Sequence, residues 1–129
     1  NCLDYPAEEL SYAELDQLAG VVEAEAPTFG RDFVMAPGCE TWPVEAVREP
    51  APTTAEGAAP ILVVGTTGDP ATPYEWSVSL AEQLASGSLL TWEGEGHTAY
   101  GRAGDCITDA VDAYLIEGVV PPDGTVCTG

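Results

Sequence analysis

The chain has 129 residues, 45% of them hydrophobic, which is enough for one domain-sized core and argues against general disorder. Twenty-two Asp and Glu face three arginines (Arg31, Arg48, Arg102) and no lysine, for a formal net charge of −19. That balance excludes nucleic acid and disfavours an anionic membrane surface, since both need clustered Lys and Arg, while it draws in a cationic ligand such as a free peptide N-terminus.

The chain opens at Asn1 without a basic segment and apolar run of signal-peptide type, and because it does not start with Met, further sequence upstream is expected. Residues 8–25 predict a helix. Tyr12, Leu15, Leu18 and Val22 share a stripe, Ser11 with Glu14 suits a capping box, and Glu8, Glu9, Asp16, Glu23 and Glu25 form a solvated face needing no partner. Residues 27–50 look irregular, punctuated by Pro27, Gly30, Pro37, Gly38 and Pro43, and residues 50–60 resemble a surface loop.

The second half is more regular. Ile61–Val64 is a continuous apolar run, strand-sized and far short of the ~20 residues of a membrane span. Gly65 to Pro70 ends that strand in a loop. Thr72-Pro73-Tyr74-Glu75 then predicts a helix start, with Thr72 as N-cap and Glu75 closing a box, and the helix runs to about Ala85. Ser88–Glu93 is a second strand, and Gly94-Glu95-Gly96-His97 a turn. Residues 105–117 predict a last helix with Ile107, Ala110, Val111 and Tyr114 on one face and Gly118 as its stop, before a Pro121–Gly124 turn leading to Cys127. Trp42, Trp76 and Trp92 are expected in the core.

The order β–α–β–α with a short crossover implies two parallel strands. Strands this apolar belong inside a larger sheet, and two are too few to stand alone. The chain is therefore expected to be a piece of a larger α/β fold, with its missing strands N-terminal or on another chain. The open edge of strand 61–64 predicts self-association when those strands are absent.

Cys2, Cys39, Cys106 and Cys127 form no C-x-x-C pair, so no metal site and no cofactor is expected. An even count in an acidic chain fits disulfides and a secreted or cell-surface location, against the alternative of four free thiols in the cytosol. Of three possible pairings, the sequential one (Cys2–Cys39, Cys106–Cys127) closes local rings and is preferred, each bond stabilising by about 3–4 kcal/mol in the chain-entropy model.

Asp69 lies just past the first buried strand, and His97, the single histidine, just past the second. Ligands and catalytic groups gather at that end of open α/β sheets. An Asp and a His there can meet, the carboxylate orienting the imidazole as a general base. Each residue alone reads as an ordinary loop residue; the pairing at matching strand ends raises the catalytic reading. The order Asp then His fits the tail of a Ser…Asp…His triad, but none of Ser11, Ser77, Ser79, Ser86 or Ser88 stands in a G-x-S-x-G elbow. Glu95 is expected to face solvent.

The segments ILVVGTTGDPATPYEWSVSLAEQL (from Ile61) and SLLTWEGEGHTAYG (from Ser88) resemble the C-terminal part of tripeptidyl-aminopeptidase-like serine hydrolases, exported α/β-hydrolases of Gram-positive bacteria. The Cys2-Leu3-Asp4 opening and the run from Cys39 to Pro43 resemble the segment after that family's lid. The resemblance implies the last third of an α/β-hydrolase: a post-lid segment over 1–59, and over 60–129 the last two βα units of the core, with two parallel strands, flanking helices and an incomplete sheet. It implies Asp69 as triad acid and His97 as triad base, with the serine on polypeptide outside this chain, in a parent that acts on peptides with a free N-terminus. Thr98 and Tyr100 are weaker candidates for bordering the substrate. Two other functions remain open: a non-catalytic acidic binding or assembly domain, and the tail of a secreted esterase.

Overall fold

The computed structural model describes residues 2–4, 6, 10–35, 39 and 42–129. The expectations placed on Glu8, Glu9, Pro37, Gly38, Glu40 and Thr41 lie outside the described residues. The chain separates into two units, Asn1–Ala51 and Pro52–Gly129.

In the first unit, α1 spans Tyr12–Glu25 and begins at the expected capping box, with Ser11 accepting from the Glu14 amide and the Glu14 carboxylate accepting from the Ser11 amide. Leu10 and Ser11 lie outside the helix, so it starts later than its acidic flank suggests. The apolar stripe is only partly realised: Ala19 is buried, Leu15 and Val22 are half-buried, and Tyr12 and Leu18 are exposed. A second helix, α2 (Gly30–Met35), occupies part of the stretch expected to be irregular. It packs back on α1 because residue 30 is glycine: a Cβ there would sit 2.5 Å from the Val22 carbonyl oxygen. Asp16 and Glu23 are not partnerless either, since Arg31 on α2 bonds Asp16 and lies 3.6 Å from Glu23. Cys2 and Cys39 are disulfide-bonded, and the Val47 amide donates to the Leu3 carbonyl at 2.9 Å.

The second unit holds β1 (Ile61–Gly68), α3 (Tyr74–Gln83), β2 (Gly87–Glu95), α4 (Asp105–Asp112) continuing into one π-helical turn (Ala113–Glu117), and β3 (Thr125–Thr128). The sheet has three strands, not two, in the order β1-β2-β3, all parallel. The third was missed because four residues after a turn carry no readable alternation. Its start is extended by Asp123, whose carboxylate accepts from the Leu89 amide at 2.8 Å.

β1 also outruns its apolar core. Pairing with β2 continues from Ile61↔Gly87 through Thr66↔Trp92 and, past a bulge, to Gly68↔Glu95. Gly65 to Gly68 is thus strand rather than loop, and Gly94 and Glu95 belong to β2 rather than to a turn. Polar side chains make this possible: the Thr67 hydroxyl oxygen accepts from the Gly94 amide at 3.1 Å and spans the bulge. Gly65 admits α3, since a Cβ there would meet Ser77 Cβ at 2.8 Å. The helix starts at Tyr74 with Pro73 as N-cap and no side-chain cap, so neither Thr72 nor Glu75 serves the box the sequence suggests.

The two helices take opposite faces of the sheet. Gly65 and Thr91 are paired across the ladder and face α3, where the Tyr74 and Thr91 hydroxyls are 2.7 Å apart. Val64 and Leu90, one residue back, face the other way. There Leu90, Ile107, Val111 and Cys127 form the core, with Leu62, Val64 and Trp92 packed against it. Of the tryptophans only Trp92 joins a core; Trp42 and Trp76 are exposed. Fully burying Leu90 and Ile107 stabilises by about 1.5–3 kcal/mol each. Gly118, in the left-handed region at φ 71°, ends the last helical turn as expected.

Both connections step the same way across the sheet while their helices cover opposite faces, so they have opposite hands, and one of them departs from the right-handed preference. The β2–α4–β3 connection is tied by the Cys106–Cys127 disulfide, 21 residues apart in sequence, which joins α4 directly to β3. Replacing both cysteines with serine is expected to remove about 3 kcal/mol from urea-unfolding stability. Amides of β3 should then lose hydrogen-exchange protection before those of β1 and β2. An unchanged urea midpoint would contradict the stapling role.

Candidate active site

Parallel register sets the site. β1 and β2 end together, and the Gly96 amide donates to the Gly68 carbonyl at 3.1 Å across the gap between them. Asp69 follows β1 immediately; His97 follows β2 by one turn through Gly96, a glycine at φ 106°. The imidazole Nδ1 lies 3.0 Å from each oxygen of the Asp69 carboxylate.

Asp69 sits in a dense set of donors. Its Oδ1 accepts from the amides of Ala71 at 2.8 Å and Thr72 at 2.9 Å. Its Oδ2 accepts from the Thr72 hydroxyl at 2.9 Å and the Thr98 amide at 3.4 Å. The Asp69 side chain is only 5% exposed. The Thr72 amide, followed by the Ala71 amide, His97 and the Thr72 hydroxyl, holds the carboxyl well below the usual carboxylate range, outweighing the opposing effect of desolvation. An ionised carboxylate only accepts, so Nδ1 carries the proton and donates. In the neutral imidazole Nε2 is then the free acceptor. No described residue hydrogen-bonds Nε2, and half of the His97 side chain is exposed.

Thr98 adopts φ 67°, the left-handed region that a β-branched residue rarely enters, at an order of 1–2 kcal/mol. That conformation aims its amide at Asp69 and seats Ala99, 4% exposed, in the core. So it is the Thr98 backbone, not its side chain, that joins the site. Tyr100 is elsewhere engaged: its hydroxyl donates to Asp112 on α4 at 2.6 Å, and that carboxylate raises the phenol's pKa. Glu95 is exposed and lies over Gly68, where a Cβ would meet its Oε2 at 2.3 Å. None of the five serines hydrogen-bonds His97: Ser11 caps α1, Ser77 packs on Gly65, Ser79 takes Gln83, and Ser86 and Ser88 donate to backbone carbonyls. The participant that sequence reasoning missed is Thr72, although the D-x-x-T spacing carried a signal, being the separation at which a hydroxyl and an amide reach back to a carboxylate.

The family described as TAP-like protein matches residues 26–127. The chain is 40% identical to the serine protease Hip1 of Mycobacterium tuberculosis over 131 residues, covering 98% of this chain and 25% of that protein. It is 38% identical to carboxylesterase B of the same species over 130 residues, again covering 98% and 25%. To the tripeptidyl aminopeptidase of Streptomyces lividans it is 36% identical over 90 residues, 69% of this chain and 17% of that protein. The chain thus spans about a quarter or less of the length of these relatives.

The depressed Asp69 carboxyl has a consequence for acid stability. A folded-state pKa below the unfolded value contributes stability above roughly pH 4, which is lost as pH falls toward the folded value. The wild-type chain is expected to lose urea-unfolding stability more steeply below about pH 4 than Asp69→Asn does. Equal acid slopes would show that the carboxylate is not held this way.

Proposed function

The chain belongs to the TAP-like family, and from that premise we propose that it is the C-terminal part of an exported serine hydrolase of tripeptidyl-aminopeptidase type, contributing the acid and base of a Ser-His-Asp triad. The observation that carries the reading is the 3.0 Å contact between the Asp69 carboxylate and His97 Nδ1, with Nε2 left open to incoming groups. The serine belongs to polypeptide outside this chain, which spans only a fraction of its relatives.

In the proposed reaction His97 Nε2 takes the proton from that serine hydroxyl as its oxygen attacks the peptide carbonyl. Asp69 keeps Nδ1–H directed inward and stabilises the imidazolium. The imidazolium then protonates the leaving amine, giving an acyl-enzyme, and water activated by the same nitrogen releases the acyl group. A net charge of −19 favours substrates with a free amino terminus. The two disulfides support a secreted or cell-surface location.

The remaining sheet would pair with β1, which among the described residues has a neighbour on one side only. Without it, the chain is expected to self-associate through the Ile61–Gly68 edge. Sedimentation as a clean monomer, with β1 amides protected from exchange, would speak against that pairing. A second reading, a secreted esterase, has its own support in the likeness to carboxylesterase B. A panel of peptide amides and acyl esters, assayed on the longer protein, separates the two.

A fluorophosphonate probe is expected to label the longer protein and to miss this chain; labelling of the chain itself would overturn the assignment. In the longer protein, Asp69→Asn should lower kcat by about 10⁴-fold and His97→Ala by about 10⁶-fold, with the fold retained. Undiminished turnover in either variant would leave the segment a binding or assembly domain.

A further inference from the structure

Resting on the acid–base role proposed for Asp69 and His97, we infer that Thr72 is a positioning residue for that couple. Its amide and its hydroxyl clamp the two carboxylate oxygens from one side, so that the couple keeps a single orientation and His97 a single tautomer.

The geometry is specific. Oδ1 accepts from the Thr72 amide at 2.9 Å and Oδ2 from the Thr72 hydroxyl at 2.9 Å. Rotating the carboxylate about its own axis would break one bond or the other. His97 Nδ1 stands 3.0 Å from both oxygens, so the same plane presents the acceptors to the imidazole. The Ala71 amide adds a second hold on Oδ1 at 2.8 Å. Among the described residues, the only donor to Oδ2 besides the Thr72 hydroxyl and His97 is the Thr98 amide, at 3.4 Å. The Thr72 hydroxyl is therefore the strong fixed donor to the oxygen that the rest of the loop holds weakly.

The competing role for this side chain is absent. In sequence Thr72 suits the N-cap of α3, yet the cap residue is Pro73 and the helix takes no side-chain cap. The hydroxyl is thus free to serve Asp69. It also lies 3.5 Å from His97 Nδ1. With its proton committed to Oδ2, the hydroxyl cannot donate to Nδ1, so Nδ1 stays the donor, and the carboxylate oxygens at 3.0 Å are nearer acceptors than the hydroxyl. Valine is nearly isosteric and removes this donor, while serine keeps it.

His97 is the single histidine, so the test reads one imidazole without ambiguity. Long-range ¹H–¹⁵N spectra of the ¹⁵N-labelled 129-residue chain, at a pH where the imidazole is neutral, report the ratio of Nδ1–H to Nε2–H. The wild type is expected to be mainly Nδ1–H, and Asp69→Asn mainly Nε2–H. Thr72→Val should move the ratio toward Nε2–H by about fivefold, the effect of one lost hydrogen bond, while Thr72→Ser stays within about twofold of wild type. Amide dispersion and helical circular dichroism should match wild type in both Thr72 variants; if Thr72→Val does not fold, Thr72→Ala serves in its place. A wild-type ratio in Thr72→Val or Thr72→Ala, with Asp69→Asn still switching, overturns the role of Thr72 alone. A ratio that Asp69→Asn also leaves unmoved overturns the Asp69–His97 couple itself.

Discussion

Parallel pairing of β1 with β2 is the constraint from which the site follows. The register brings Gly68 opposite Glu95, so the chain leaves both strands at the same level. One residue later on β1 and two residues later on β2, the side chains of Asp69 and His97 have little choice but to meet. A shift of one residue along either strand would put Val64 and Leu90 on opposite faces and offset Asp69 from His97 by a strand repeat of about 3.3 Å. Core burial and site geometry are thus set by the same ladder.

Around that pair the protein relies on fixed dipoles rather than on charge. No arginine hydrogen-bonds Asp69; beside His97 Nδ1–H, its ionised form is held by amides and a hydroxyl that the β1–α3 loop and Thr98 point inward. In a chain of net charge −19, such neutral donors stabilise one carboxylate without depending on the scarce arginines. Two of the three arginines do other work: Arg31 joins α1 to α2, and Arg102 donates to the His97 carbonyl at 3.5 Å from within the same loop.

The second unit is stabilised unevenly. The α4 face of the sheet is closed by Leu90, Ile107, Val111 and a disulfide to β3, whereas α3 buries no residue fully and leaves Trp76 exposed. Among the described residues, no strand pairs with the other edge of β1, beneath α3. This chain makes up a quarter of its relatives' length, and the Asp69 end of β1 lies beside the edge of the sheet that has no paired strand among the described residues.

Sequence alone determined the features with strong local causes. The capping box at Ser11, the apolar strand cores at Ile61–Val64 and Leu89–Leu90, the buried face of α4, the Gly118 stop and the sequential disulfides all follow from neighbours a few residues apart or from simple ring closure. Asp69 and His97 were legible as a pair because each stands just past a recognisable apolar strand. Tertiary structure decided the rest. β3 exists because β2 offers a ladder and Cys106 an anchor, not because four residues near the C-terminus prefer to be extended. β1 extends through Thr66 and Thr67 because Trp92 and Gly94 lie opposite. Thr72 turned from a helix cap into a partner of Asp69, because a hydroxyl bonds whichever acceptor the folded chain brings nearest, and only the fold brings the carboxylate there.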